Sequence, residues 1–123
     1  MTITAPLFLW AVIILALTSI PGKEMPEINL WNWDKLAHGG VYFILAVLLF
    51  RYLYFVRRVA LKAVPGPAIL IGIVYGLLDE LHQLFIPNRS CTWQDMLANT
   101  VGICLGVYLA SRFYKNQKSK VAR

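Results

Sequence analysis

Four apolar runs, at about residues 2–20, 35–56, 68–86 and 93–113, set the strongest limit on what this chain can become. At ~1.5 Å per residue each is just long enough to cross a hydrocarbon layer of roughly 30 Å as a helix. In a chain of 123 residues they leave room for little else. With 59% hydrophobic and 15% charged residues, too little polar surface remains to coat a water-soluble globule. The expectation is an all-α fold, a four-helix transmembrane bundle forming one domain over residues 1–123, with no internal repeat and no further domain.

The punctuation agrees with the runs. Thr2 to Ile20 carries no charge and is stopped by Pro21 and Gly22. No Lys or Arg precedes Lys23, so the run lacks the basic start of a secretory signal and reads as a retained span. The second run enters through Trp31 and Trp33, which suit a membrane interface, and leaves through Arg51, Arg57 and Arg58, with Arg51 snorkelling outward. Val64, Pro65, Gly66 and Pro67 read as a turn before the third run, and Pro87 as its stop.

A net charge of +6, from 12 Lys and Arg against 6 Asp and Glu, would suggest nucleic acid on an ordinary globule. Sorted by connection, it has another meaning. Arg51, Arg57, Arg58, Lys62, Arg112, Lys115, Lys118, Lys120 and Arg123 gather on one side with no acid. Lys23, Lys35 and Arg89 share the other side with Glu24, Glu27, Asp34, Asp79, Glu80 and Asp95. The positive-inside rule then places both termini in the cytoplasm, the basic tail 115–123 included. Nucleic acid is not an expected partner; membrane lipid is.

Function is to be sought where polar groups enter the spans. Asp34, His38 and Tyr42 stand at i, i+4 and i+8, with Lys35 beside them, and so share a face of the second helix. Tyr75, Asp79 and Gln83 repeat the spacing in the third, with Glu80 adjacent and Asn88 and Arg89 just beyond. Asp95 and Asn99 do the same in the fourth, and Gly102 and Gly106 continue that stripe as a small-xxx-small packing surface. An ionised group at mid-span costs on the order of 3 kcal/mol, so these acids should face a partner, a cavity or water. The stripes meet on one membrane side, which predicts an outer polar pocket.

Plainer roles stand beside that reading. Asp95 and Asn88 suit helix caps or loops as well as a site, Tyr42 and Tyr75 suit core or interface, and His82 points away from the Asp79 and Gln83 stripe. Cys91 reads as an unpaired loop thiol and Cys104 as a buried structural one, too distant from each other for an easy bridge. No Cys and His spacing of a zinc site occurs, so no metal ligand and no cofactor is assigned.

At these residues the chain resembles the VanZ-like family of small bacterial membrane proteins. Thr18 and Ser19, the segment WDKLAHGGVYFIL from Trp33 to Leu45, and YGLLDELHQLFIPNRSCTWQDMLANTVGICLG from Tyr75 to Gly106 carry the likeness. It implies a four-helix protein of the bacterial inner membrane and of envelope physiology, named for low-level resistance to the glycopeptide teicoplanin.

The leading expectation is a pocket that binds the charged headgroup of a lipid or lipid-linked envelope intermediate. Lys35 and Arg89 would contact an anionic group, with Tyr42, Gln83, Asp95 and Asn99 lining the pocket. The first rival makes the pocket an enzyme, with His38, Asp34, Asp79 and Glu80 as acid, base or cation-holding groups. The second is a structural helper packing against larger envelope proteins. Oligomeric state and ligand identity are not specified by the sequence.

Overall fold

The computed structural model describes residues 4–22 and 31–123, the side chains of residues 31–33 excepted. The expected start at Thr2, the interfacial role of Trp31 and Trp33, and the charges Lys23, Glu24 and Glu27 therefore lie outside the described residues.

Among the described residues there are four α-helices and no strand: α1 Thr4–Thr18, α2 Trp31–Arg51, α3 Pro65–Gln83 and α4 Trp93–Val121. Two stretches, Asp34–Val56 and Trp93–Val121, are long and apolar enough to cross a membrane, and α1 is a shorter apolar helix. In α3 the apolar middle is diluted by two prolines in the first turn and by Asp79 and Glu80 near the end.

Several boundaries differ from expectation for identifiable reasons. The helix α3 begins at Pro65, inside the stretch expected to turn, because a first-turn proline lacks only an N–H that would have had no helical partner. It ends at Gln83, and the amides of Phe85 and Ile86 then reach back to the carbonyls of His82 and Gln83 at 3.0 and 3.1 Å, tightening the chain before Pro87. The helix α4 continues past Phe113 to Val121, since Lys115, Gln117, Lys118 and Lys120 are good helix formers and no breaker intervenes. At the end of α2 the helix widens into one π-helical turn, Tyr52–Val56, where the Arg57 amide bonds the Tyr52 carbonyl at 3.1 Å.

The most extensive packing is between α2 and α4, followed by α3 against α4 and α2 against α3. Glycine makes the first contact possible. A Cβ on Gly102 would run into the carbonyl oxygen of Gly39, and one on Gly106 would stand 2.6 Å from the carbonyl oxygen of Phe43, so the two backbones touch. Around this seam Tyr42, Leu45, Ala46, Leu49 and Phe50 of α2 meet Ile103, Val107 and Ala110 of α4, with Ala68 of α3 and Ile14 of α1 completing the core.

The distribution of side chains in α3 is inverted relative to a water-soluble helix. Its buried residues are Ala68, Gly72, Gly76, Asp79, Glu80 and Gln83. Leu70, Ile71, Val74, Leu77, Leu78 and Leu81 are exposed. The outer face of α4 is likewise apolar, with Leu97, Val101, Leu105, Tyr108 and Leu109 exposed. Cys104 falls on that face and is exposed, which corrects the expectation that it is buried: it lies on the row of Leu97, Val101 and Tyr108, one step from the inward Ile103.

Helix α1 buries only Leu7 and Ile14 fully and is attached through polar links. The Trp10 indole donates to the Val41 carbonyl at 3.0 Å, and the Tyr75 hydroxyl to the Ala11 carbonyl at 2.7 Å. Just beyond its end, the Gly22 amide donates to the Pro87 carbonyl at 3.1 Å. A side chain at Gly22 would collide with the Asn88 backbone. Asn88 itself turns with φ 59°, a left-handed conformation that asparagine tolerates.

Candidate functional site

The polar stripes of α2, α3 and α4 meet at one end of the bundle. Asp79, on the inward face of α3, is buried and accepts two hydroxyl bonds, from Thr18 at 2.7 Å and from Tyr42 at 2.9 Å. Gln83, one turn on, adds a longer bond from its amide at 3.5 Å. Hydrogen bonds to a charged group contribute about 1.5–3 kcal/mol each, enough to offset much of the several kcal/mol of carboxylate desolvation. Thr18 is the contribution that periodicity within α2, α3 and α4 could not disclose. The signal in the sequence is a hydroxyl that closes an apolar run, at the end of the bundle where the acids lie.

Glu80 is fully buried. The Asn99 amide nitrogen donates to its Oε1 at 3.2 Å, and His38 Nδ1 lies 3.8 Å from the same oxygen. Its Oε2 has no hydrogen-bond partner, although the Cys91 thiol lies beside the carboxylate. Burial and the neighbouring Glu80 and Asp95 carboxylates push that thiol above its usual range.

The Asn99 amide sets the tautomer of a neutral His38 ring. Its nitrogen serves Glu80, so its oxygen faces His38 Nδ1 at 3.2 Å and can only accept. The proton of a neutral imidazole therefore sits on Nδ1, and the Nε2 lone pair points toward Asp34, whose Oδ1 is 3.7 Å away. A relay from Glu80 through Asn99 to His38 thus holds the ring in one tautomer.

Lys35 turns toward α4. Its ammonium bonds Asp95 closely and Asp34 at 3.2 Å. Asp95 is the third residue of α4, whose N-cap is Thr92. The Thr92 hydroxyl accepts from the Asp95 amide at 3.3 Å and donates to the Asp95 carboxylate at 2.5 Å. Asp95 therefore belongs both to a cap and to the polar cluster. The T-x-x-D spacing of Thr92 and Asp95 is a helix-start signal legible in the sequence, in line with the cap role open to Asp95.

Arg89 is placed differently from Lys35. Its Nε and Nη2 donate to the carbonyls of Ile20 and Leu17, each at 3.0 Å, closing the end of α1. His82 helps at the same place, 3.0 Å from the Ser19 hydroxyl. Between α1 and α2 lies a cavity of about 180 Å³. Ile14, Leu17 and Val41 give it apolar walls, while Thr18, Asp34, His38, Tyr42 and Arg89 give it polar ones. Lys35 instead borders a shallow groove on the other side of α2, with Gly39, Gly40 and Leu97.

Of the residues expected to form a site, Tyr42 and Gln83 thus gather on Asp79, His38 and Asn99 on Glu80 with Asp34 beside the ring, and Lys35 ties Asp34 to Asp95, while Arg89 stands apart against the end of α1. Chemically the arrangement offers one oriented imidazole, a half-exposed carboxylate and a guanidinium around a partly apolar cavity.

An uncharacterized protein of Schizosaccharomyces pombe is 27% identical over 88 residues, 72% of this chain and 52% of the relative, so the chain spans about half the length of that protein. No solved structure matches the chain. Residues 4–114, which take in α1 to α3, most of α4 and every residue of the polar cluster, match the family described as VanZ/LLP1, and the chain belongs to that family.

Proposed function

We propose that this chain is a four-span membrane protein, both termini cytoplasmic, whose outer-side pocket binds the charged headgroup of a membrane lipid. The observation that carries the reading is the cavity between α1 and α2, apolar along Ile14, Leu17 and Val41 and polar at Asp34, His38 and Arg89. Such a cavity suits a molecule with a hydrocarbon part and a headgroup. Two of the five N–H donors of Arg89 are engaged on α1, leaving the others for a phosphate oxygen. Asp34 and His38 supply an acceptor for an ammonium or hydroxyl group.

The apolar outer faces of α3 and α4 support the membrane setting, since an exposed surface of this kind needs lipid around it. The basic side with nine cations and no acid supports the orientation. Envelope physiology in a bacterial inner membrane, and the link to teicoplanin resistance, belong to the same proposal and rest on family resemblance. Similarity to a yeast protein favours a lipid chemistry common to bacteria and fungi, such as a phosphoglyceride, over an intermediate found only in bacterial walls.

The test is lipid retention. The full chain, purified in mild detergent from membranes rich in phosphatidylethanolamine and phosphatidylglycerol, should carry bound phospholipid detectable by mass spectrometry. Arg89→Leu and His38→Ala should lose it while keeping helical content, and Arg89→Lys should retain part. Wild-type retention in both loss variants would refute the reading. A second reading, hydrolysis or transfer at the headgroup, is favoured by the oriented Nε2 lone pair of His38 at the cavity wall. It predicts headgroup release by the purified protein that is abolished in His38→Ala, and no release by wild type would refute it.

A further inference from the structure

We infer that Asp34, His38 and Asp95 form a binding site for a divalent transition-metal ion, of which Zn²⁺ is the best-matched. One nitrogen or oxygen from each of these side chains lies within 4.8 Å of the others. Tetrahedral zinc, with bonds of about 2.0–2.2 Å, places its donor atoms roughly 3.4 Å apart. The His38 Nε2 to Asp34 Oδ1 separation of 3.7 Å is already close to that value. Closing the rest is a matter of side-chain rotation, since the Asp34 side chain is 52% exposed. One imidazole and two carboxylates form a mixed nitrogen and oxygen set with a fourth position left open.

Three observations beyond proximity point to a cation. The first is the second shell. A metal-bound histidine normally donates its other ring N–H to a fixed acceptor, and here Nδ1 is held by Asn99, itself held by the buried Glu80. The lone pair of Nε2 is thereby aimed at Asp34 before any ion arrives.

The second is charge. Among the described residues of this end, the four carboxylates Asp34, Asp79, Glu80 and Asp95 outnumber the two fixed cations Lys35 and Arg89, Arg89 being bonded to backbone carbonyls, and Oε2 of the fully buried Glu80 has no hydrogen-bond partner. A divalent ion would remove that deficit in a region where uncompensated charge is costly. The third is the Lys35 ammonium, which touches both Asp34 and Asp95 and so marks where their fields converge. A metal entering there would displace it.

This displacement separates the inference from a merely acidic cluster and from the lipid reading. Zn²⁺ binding to the full chain in neutral detergent is measured by competition with a chromophoric chelator, Mn²⁺ binding by electron paramagnetic resonance. One saturable site is expected. Asp95→Asn and His38→Gln should each weaken it at least tenfold, whereas Lys35→Met should tighten it at least tenfold by removing the competing cation. Asp95 does not line the lipid cavity, so Asp95→Asn should keep phospholipid, while Arg89→Leu should lose phospholipid and keep the metal. Absence of a saturable site in both wild type and Lys35→Met, or wild-type affinity in Asp95→Asn and His38→Gln, would overturn the inference.

Discussion

A methyl group at Gly102 tests how the α2–α4 seam supports the polar cluster. The Cβ of alanine at this position points into the carbonyl oxygen of Gly39, with the Gly39 carbonyl carbon and Cα also within 3.0 Å. Backbone cannot rotate aside, so the helices must part by about 1.4 Å or more before ordinary contact of about 3.5 Å is restored. Overpacking of this kind costs about 1–3 kcal/mol. Helix propensity returns up to about 1 kcal/mol on replacing glycine by alanine, so a net loss of about 1–2 kcal/mol is expected. Two neighbours calibrate the measurement. At Gly40 nothing lies within 4 Å of an added Cβ, so Gly40→Ala should be neutral or stabilising by up to about 1 kcal/mol. At Gly39 an added Cβ would lie 3.4 Å from the Ala98 carbonyl oxygen, which predicts a change near zero. Reversible unfolding in mixed micelles, read by circular dichroism, should give the order Gly40→Ala, Gly39→Ala, Gly102→Ala from most to least stable. The separation should also break the His38 to Asn99 contact, because His38 adjoins Gly39 and Asn99 lies one turn from Gly102. Equal stability of the Gly102 and Gly40 variants would refute the backbone contact.

Further outcomes follow from the same geometry. Tyr42→Phe removes a hydroxyl bond to the buried Asp79 carboxylate and should lower stability by about 1.5–3 kcal/mol in the same unfolding assay. Because the Cys91 thiol is shifted upward by burial and by Glu80 and Asp95, its thiolate fraction at pH 8 should be small. Alkylation by iodoacetamide should be slow there, accelerate as pH rises past the ordinary thiol range, and become faster at pH 8 in Glu80→Gln. A fluorescent protein fused after Arg123 should fluoresce, and an alkaline phosphatase fused there should be inactive, if the basic tail is cytoplasmic; the reverse pair would overturn the orientation.

How much of this was legible in the sequence depended on which side of a helix, or which helix, was being asked about. The i, i+4, i+8 spacing of Asp34, His38 and Tyr42, and of Tyr75, Asp79 and Gln83, fixes a shared face whatever lies opposite. The meeting of those stripes could therefore be read in advance. The partner across the gap could not. Lys35 and Arg89 carry the same charge and sit near the same end of the bundle, yet one pairs with α4 and the other closes α1. Thr18 shows the same limit, since its bond to Asp79 joins residues 61 positions apart. The helical start at Pro65 differs from the expected turn for a local reason: proline breaks a helix interior but suits a first turn, and the sequence alone admits both readings.

The order in which the donors to the buried carboxylates occur along the chain bears on biogenesis. Asp79 takes its hydroxyl partners from Thr18 and Tyr42, both synthesised before it. Glu80, the next residue, depends on Asn99, which leaves the ribosome later. As α3 emerges, one of its two acids can be satisfied at once by helices already in place, whereas the other must wait for α4. A chain ending before Trp93 would therefore leave Glu80 with His38 nearby at 3.8 Å but without the amide that Asn99 supplies.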